Sequence, residues 1–438
     1  MTDDRSSGRA LKVAALVDLL WNPNAGGHVK CWERLAEAAT AHSRDLDLTV
    51  HFEGEREARH VLASNVRYQF HRPVLSTARL PFLSHVPDHT DLAPWQPRLA
   101  RRLGDCAVIH TTDAYFAFAA TAERIAARRG LPLIHSIHTD TPSYTRVFTA
   151  ETIERLAGSG LLAHLLSDRL HLPEKGERSM LRRLARHQSL CRFVLASRPE
   201  DLNRAAAVVD PGRVRRLRRG IDHRRFTPDR RNRELLHRRF GVPLDAVVIL
   251  FAGRINRGKN VLVLAEAVRL LAEEGLAAHL LCVGDGEDRD RVTALLGPAA
   301  TCPGALEQDD LARVYASADV FALPSLIEIH SNVVQEALSS GLPVVMAAAA
   351  GLHPLFGDGR SSVVAAGADP PSWARALRPL VADRHLATVM GRAARKFAET
   401  RLPSWDQVLV EDLLPVWSEA AGTDARTAPS SPCWRHAS

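Results

Sequence analysis

DVFALPSLIEIHSNVVQEALSSGLPVV, residues 319–345, reads as a strand, a loop, a helix and the opening of a second strand. The apolar run ending at Pro324 is short, as a buried strand is. Ser331 or Asn332 can cap a helix, Glu336 lies about one turn into it, and Gly341 ends it. A strand joined through a helix to a parallel neighbour is the unit from which α/β sheets are built.

The same unit recurs outward from this stretch. AVVILFAG at 246–253 leads into a helix with Val261, Leu264, Ala265, Val268 and Leu271 on one face, and AAHLLCVGDG follows at 277–286. In the first half KVAALVD, CWERLAEAATAH and LDLTVHF read strand, helix, strand. CAVIHTTD, a helix over 118–130 and LPLIHSIHTD repeat the unit. The fold class is therefore α/β, with two Rossmann-like lobes over 11–221 and 244–401. Residues 222–243, polar and broken by Pro228, read as the linker between them. The segment 149–190, helical in pattern but interrupted by LPEKG, reads as an insertion at the mouth of the first lobe. A last helix is expected over 402–421, with flexible ends over 1–10 and 422–438.

A chain of 438 residues, 46% hydrophobic and 24% charged, is long enough for two domains and too apolar to be disordered. Its apolar runs fall far short of the roughly 20 residues that cross a bilayer. Acids come first at the N-terminus and Asp18 interrupts the first apolar run, which does not suit a secretory signal; a cytoplasmic location is expected. The six cysteines never stand at C-x-x-C spacing, so neither a zinc site nor a redox pair is expected. The net charge is +7, and only five of the 57 basic residues are lysine. Twelve of the 27 residues from Arg213 to Arg239 are arginine. They could meet phosphates or an anionic membrane surface, or form a solvated face. No nucleic-acid motif or interleaved aromatics accompany them, so no nucleic-acid partner is expected.

Open α/β sheets bind ligands at the carboxyl ends of their strands, which directs attention to the loops there. In WNPNAGGHVK, Gly26 and Gly27 precede a helix, as either a plain turn or a place for an anion to approach backbone N–H groups. In FAGRINRGKN, Arg254 and Lys259 flank a glycine turn, and cations there suit a diphosphate. CVGDGEDRDRV, with Gly284, lacks the third glycine and the distant acid of a dinucleotide fingerprint, which demotes a dehydrogenase. Glu328 and Glu336 border one helix N-terminus, where a ligand bearing both hydroxyls and phosphates could be held; two glutamates so placed are equally compatible with capping or surface roles.

Taken together, these segments resemble the retaining nucleotide-sugar glycosyltransferases of the family 4 type, with the GT-B architecture of two Rossmann-like lobes facing each other across a cleft. The resemblance runs from about residue 11 to 418. It rests on the GG loop, RRGIDHRRFTP, GRINRGKN, VGDGE, YASADVFALPS, and EIHSNVVQE followed by ALSSGLPVV. It implies a UDP- or GDP-sugar donor carrying a glucose, N-acetylglucosamine or mannose type of hexose, and no metal. By the same resemblance Arg254 and Lys259 would neutralise the diphosphate and Glu336 would hold the ribose. Glu328, with the backbone of Ile329, His330, Ser331 and Asn332, would grip the sugar, beside Gly284. Gly26 and Gly27 would close on the phosphates, and His138 in SIHTD would contact the sugar near the reacting bond. His110, Thr139 and Asp140 are weaker candidates on the acceptor side.

Two departures from the family pattern stand out. His330 and Ser331 occupy positions where the family usually has phenylalanine and glycine, and VMAAAAGLHPLF lacks a paired glycine and acid. The acceptor, a lipid, a glycan or a small metabolite, is not legible, and peripheral contact with the cytoplasmic membrane face stays open. A non-catalytic protein that binds sugar nucleotides or polyanions is the competing reading.

Overall fold

The computed structural model describes residues 10–22, 25–79, 89–158, 160, 164–326, 331–350, 352 and 356–422. The chain divides into two compact units, Met1–Arg218 with Trp405–Ser438, and Arg219–Ser404.

The first unit is built on an eight-stranded sheet in the order β3-β4-β2-β1-β5-β6-β7-β8. These strands are β1 (Leu11–Leu20), β2 (Leu46–Glu53), β3 (Ala58–Ala63), β4 (Val66–His71), β5 (Val108–Thr111), β6 (Leu133–Ser136), β7 (Phe193–Ala196) and β8 (Val214–Arg216). All neighbours run parallel except β3, which returns antiparallel along β4. The two-residue period of β1 decides the layering: Val13, Ala15 and Val17 join one core, and Ala14 and Leu16 join the other. Helices therefore cover both faces. Helix Gly27–Ala39 buries Val29, Trp32, Leu35, Ala36 and Ala39 at helical spacing on the first face. Helix Ala117–Arg129 buries Phe118, Ala122, Ile125 and Ala126 on the second.

Residues 149–190 comprise the end of helix Thr141–Ala157, a single turn at Leu165–Arg169 and helix Leu172–Leu190, and the two helices pack together. Residues 402–421 are helical from Trp405, and Val408, Leu409, Leu413, Val416 and Trp417 lie in the core of the first unit.

The second unit holds a wholly parallel six-stranded sheet in the order β11-β10-β9-β12-β13-β14. Its strands are β9 (Val247–Ala252), β10 (Ala278–Val283), β11 (Ala300–Gly304), β12 (Val320–Leu323), β13 (Val344–Ala347) and β14 (Ser362–Ala365). Counted within the unit this is 3-2-1-4-5-6, the Rossmann order, whose direction reverses between β9 and β12. Loops leaving those two strands diverge, and the crevice they leave is where such sheets take a ligand.

Residues 222–243 are not a free-standing linker. The chain passes between units at Arg218/Arg219 and again at Ser404/Trp405. Phe226, Leu236 and Val242 are buried in the second core, and Arg233–Phe240 is a helix. The arginines around them are engaged internally: Arg231 and Arg233 pair with Asp319, Arg225 and Arg230 with Asp309, and Arg239 with Asp310.

Candidate active site

In the second unit the loop after β9 carries Arg254, exposed, and Lys259, half-buried. The Asn256 side chain shapes the turn by accepting from the Lys259 N–H at 3.1 Å. This loop is locked to the one leaving β10. Gly253 N–H donates to Val283 O, and Ile255 N–H to Asp285 O, both at 2.9 Å. Glycine is needed for that approach: a Cβ on Gly284 (φ +134°) would lie 2.0 Å from the Gly253 oxygen, and one on Gly286 (φ +158°) 2.2 Å from the Ile255 oxygen. VGDG thus serves as the floor under the Arg254 loop, which explains its glycines without a dinucleotide.

Across the switch point, Ser331 is the cap position of helix Asn332–Ser339, and its side chain makes no capping bond. The helix is fixed from below. Ser339 Oγ donates to Phe226 O at 2.7 Å, and Gln335 Nε2 donates to Arg219 O at 3.1 Å. Arg395 Nη1 donates to the carbonyls of Ser339 (2.6 Å) and Phe226 (3.0 Å). RRGIDHRRF is therefore the brace of the helix, and Gly391 lets the brace close, since a Cβ there would stand 2.3 Å from Gly341 O. Glu336 is half-buried one turn into the helix; the phenol of Tyr315 is held well above its ordinary range, by burial first and then by the Glu336 carboxylate beside it. Glu328, Ile329 and His330 lie outside the described residues.

In the first unit Gly26 is the cap position of helix Gly27–Ala39 and has an extended backbone (φ −65°, ψ 172°). As a glycine it has no side chain with which to cap the helix. His138 follows β6, is buried, and stacks on His28 with ring centroids 4.6 Å apart and planes 6° from parallel. His28 Nε2 lies 2.8 Å from Thr112 Oγ1, whose own proton goes to Leu16 O at 2.9 Å. Ser136 Oγ is 2.7 Å from His138 Nε2 and 2.8 Å from His110 Nε2. Trp417 Nε1 donates to His110 Nδ1 at 2.9 Å.

His110 is therefore wholly enclosed behind His138, and burial pushes its pKa down to about 3. Both its ring nitrogens are engaged within the fold, which separates it from any acceptor. Asp140 caps helix Thr141–Ala157 by accepting from Ser143 N–H at 3.3 Å and lies 3.5 Å from Arg198. Thr139 beside it is exposed. Two carboxyls stand at neighbouring strand ends: Asp18 accepts from Phe118 N–H and Glu53 from Asp91 N–H, each at 2.8 Å. Among the described residues no group of three His, Cys, Asp or Glu side chains is placed to hold a metal ion, and no helix is long and apolar enough to cross a membrane.

Sequence reasoning missed His28, Thr112, Ser136 and Trp417. His28 follows Gly27 directly, and Ser136 precedes His138 by two positions, a same-side spacing on a strand. Nothing local marks Trp417 or Thr112.

Residues 246–383 match the family described as glycosyl transferases group 1. A D-inositol 3-phosphate glycosyltransferase of Salinispora arenicola is 37% identical over 230 residues, covering 48% of this chain and 50% of that protein. The sulfoquinovosyl transferase of Arabidopsis thaliana is 30% identical over 303 residues, covering 68% of this chain and 54% of its own. The chain thus spans about half the length of the curated relatives it matches. Among solved structures, sucrose-phosphate synthase from Thermosynechococcus elongatus superposes with a TM-score of 0.66 at 17% identity, covering 92% of this chain and 97% of that one. Anabaena HepE, in complex with UDP and glucose, gives 0.62 at 15% identity, covering 94% and 99%. Residues 246–383 thus form a domain like those of the group 1 glycosyl transferases, and the fold of the chain is GT-B, two Rossmann-like α/β lobes.

Proposed function

We propose that the chain is a retaining, metal-independent hexosyltransferase that moves a glucose, N-acetylglucosamine or mannose type of unit from a UDP- or GDP-sugar to an acceptor hydroxyl. The observation that carries this reading is the pairing, at the switch point of one parallel sheet, of the loop holding Arg254 and Lys259 with the N-terminus of helix Asn332–Ser339. Cleavage of the sugar–phosphate bond builds negative charge on the departing diphosphate, so cations fixed in advance favour the transition state over the bound donor. Such groups are typically worth ~3 kcal/mol each. With two cations and a helix terminus on the leaving group, its charge is met without a metal. Glu336, held beside Tyr315, takes the ribose hydroxyls; Glu328 and the backbone of 329–332 take the sugar, with Gly26 and Gly27 toward the phosphates and His138 toward the sugar. The acceptor hydroxyl attacks from the leaving-group side and gives its proton to the phosphate oxygen.

The inositol phosphate, sulfoquinovosyl and sucrose-phosphate names of similar proteins agree with a polyhydroxylated acceptor or donor, small or lipid-linked. The competing polyanion-binding reading draws little support, because five of the seven arginines of 222–243 pair with Asp309, Asp310 or Asp319. The test is nucleotide release from a panel of UDP- and GDP-sugars with a cell extract as acceptor source, followed by mass spectrometry of the products. Release of one nucleotide with a hexosylated product is expected. Tight nucleotide binding without release from any donor would make the chain a binding protein.

A further inference from the structure

The hydrogen bonds around His138 form a directed series. An indole N–H can only donate, so His110 Nδ1, 2.9 Å from Trp417 Nε1, is an acceptor and carries no proton. Enclosed and neutral, His110 then carries its proton on Nε2 and donates to Ser136 Oγ at 2.8 Å. Ser136 has one proton of its own, and His138 Nε2 lies 2.7 Å away as its acceptor. We propose that Trp417, His110 and Ser136 act as positioning residues that hold His138 neutral, with its proton on Nδ1, so that His138 meets the transferred sugar as a hydrogen-bond donor and not as a base.

An imidazolium at His138 would direct a second N–H at Ser136 Oγ and displace the serine proton from its acceptor, an arrangement costly in a buried site. The stacked ring of His28 works in the same direction, since Thr112 Oγ1, its proton already given to Leu16 O, accepts from His28 Nε2–H. Trp32 closes the other side, edge-on to His110 at 5.1 Å. The series starts on helix Leu414–Ala421 and ends on the loop after β6, so a residue remote in sequence sets the tautomer of one at the strand end. A ring fixed this way leaves the acceptor proton to the departing phosphate, as retention through the leaving-group side requires.

This inference rests on the proposed function only for what His138 does to the sugar; the tautomer itself is read without substrate. Long-range ¹H–¹⁵N spectra of the full chain, with histidines assigned by single substitutions, report which ring nitrogen is protonated. The expected result is a protonated Nδ1 and a bare Nε2 on His138, unchanged from pH 5.5 to 8. Ser136→Ala is expected to release the ring to a mixture of tautomers and lower kcat about ten-fold with a smaller change in donor KM, and Ser136→Thr to restore both. Trp417→Phe is expected to move the His110 signals first and those of His138 with them. A wild-type His138 protonated on Nε2, or titrating within that pH range, would overturn the relay. A protonated Nδ1 in the wild type with undiminished turnover in His138→Ala would leave the relay standing and overturn the functional reading.

Discussion

Gly284→Ala tests how the Arg254 loop is held. The new methyl would stand 2.0 Å from the Gly253 carbonyl oxygen, where carbon–oxygen contact normally needs about 3.5 Å. A backbone at φ +134° adds strain of its own for an L side chain, roughly 1–3 kcal/mol. Relief comes only if the two loops part, which gives up the Gly253 N–H bond to Val283 O and the Ile255 N–H bond to Asp285 O, both 2.9 Å. Each such bond is worth about 1 kcal/mol, so the whole loss is roughly 3–5 kcal/mol. Gly275→Ala is the control: its φ is +82° and nothing lies within 4 Å of the added carbon, so only the backbone strain applies, roughly 1–2 kcal/mol. Urea unfolding of the second unit compares the two, with nucleotide affinity by calorimetry alongside. Gly284→Ala is expected to lose at least twice the stability of the control, and to weaken nucleotide binding as Arg254 shifts. Equal losses in the two variants would refute the idea that the VGDG loop supports the cation loop by close backbone contact.

Lys259→Ala is expected to cut turnover by about two orders of magnitude while nucleotide binding survives, measured as nucleotide release against nucleotide calorimetry. Arg395→Ala removes a guanidinium that donates to the Ser339 and Phe226 carbonyls, and it should cost roughly 2–3 kcal/mol in urea melts; no change would mean the helix does not depend on this brace. Burial pushes Glu53 up to about 7, and Asp18 is raised well above its ordinary range by burial first and then by the charge of Glu53. The folded unit thus binds protons that the unfolded chain releases above about pH 4.5, so stability is greatest below that and declines as pH rises through 7. Asp18→Asn keeps an acceptor for Phe118 N–H and offers Glu53 a donor; its stability should vary less between pH 5 and 7.5 than the wild type's, followed by urea unfolding at the two pH values.

The two sheets were legible because parallel strands covered on both faces read as unbroken apolar runs, and the six strands of the second unit came in Rossmann order. The hairpin of β3 and β4 was not foreseen: ARHVLA lacks the alternation of polar and apolar residues that VRYQFH shows, and no strong turn signal joins them. Residues 222–243 misled for a related reason. Arginine masks the spacing of Phe226, Leu236 and Val242, and the acids that neutralise it lie some 80 positions away, as with Arg231 and Asp319. In the second unit Arg254, Lys259 and Glu336 could be found because each sits on or just beyond a strand-end loop. In the first unit His28, His110, Ser136, His138 and Trp417 come together only through the fold, across up to 389 positions of chain (417 − 28).

The most direct measurement is a crystal structure of the chain with a bound, non-hydrolysable UDP- or GDP-sugar. Both phosphates are expected beside the guanidinium of Arg254 and the ammonium of Lys259, in front of the first turn of helix Asn332–Ser339, with the ribose on Glu336. Phosphates lodged away from those two cations would contradict the account.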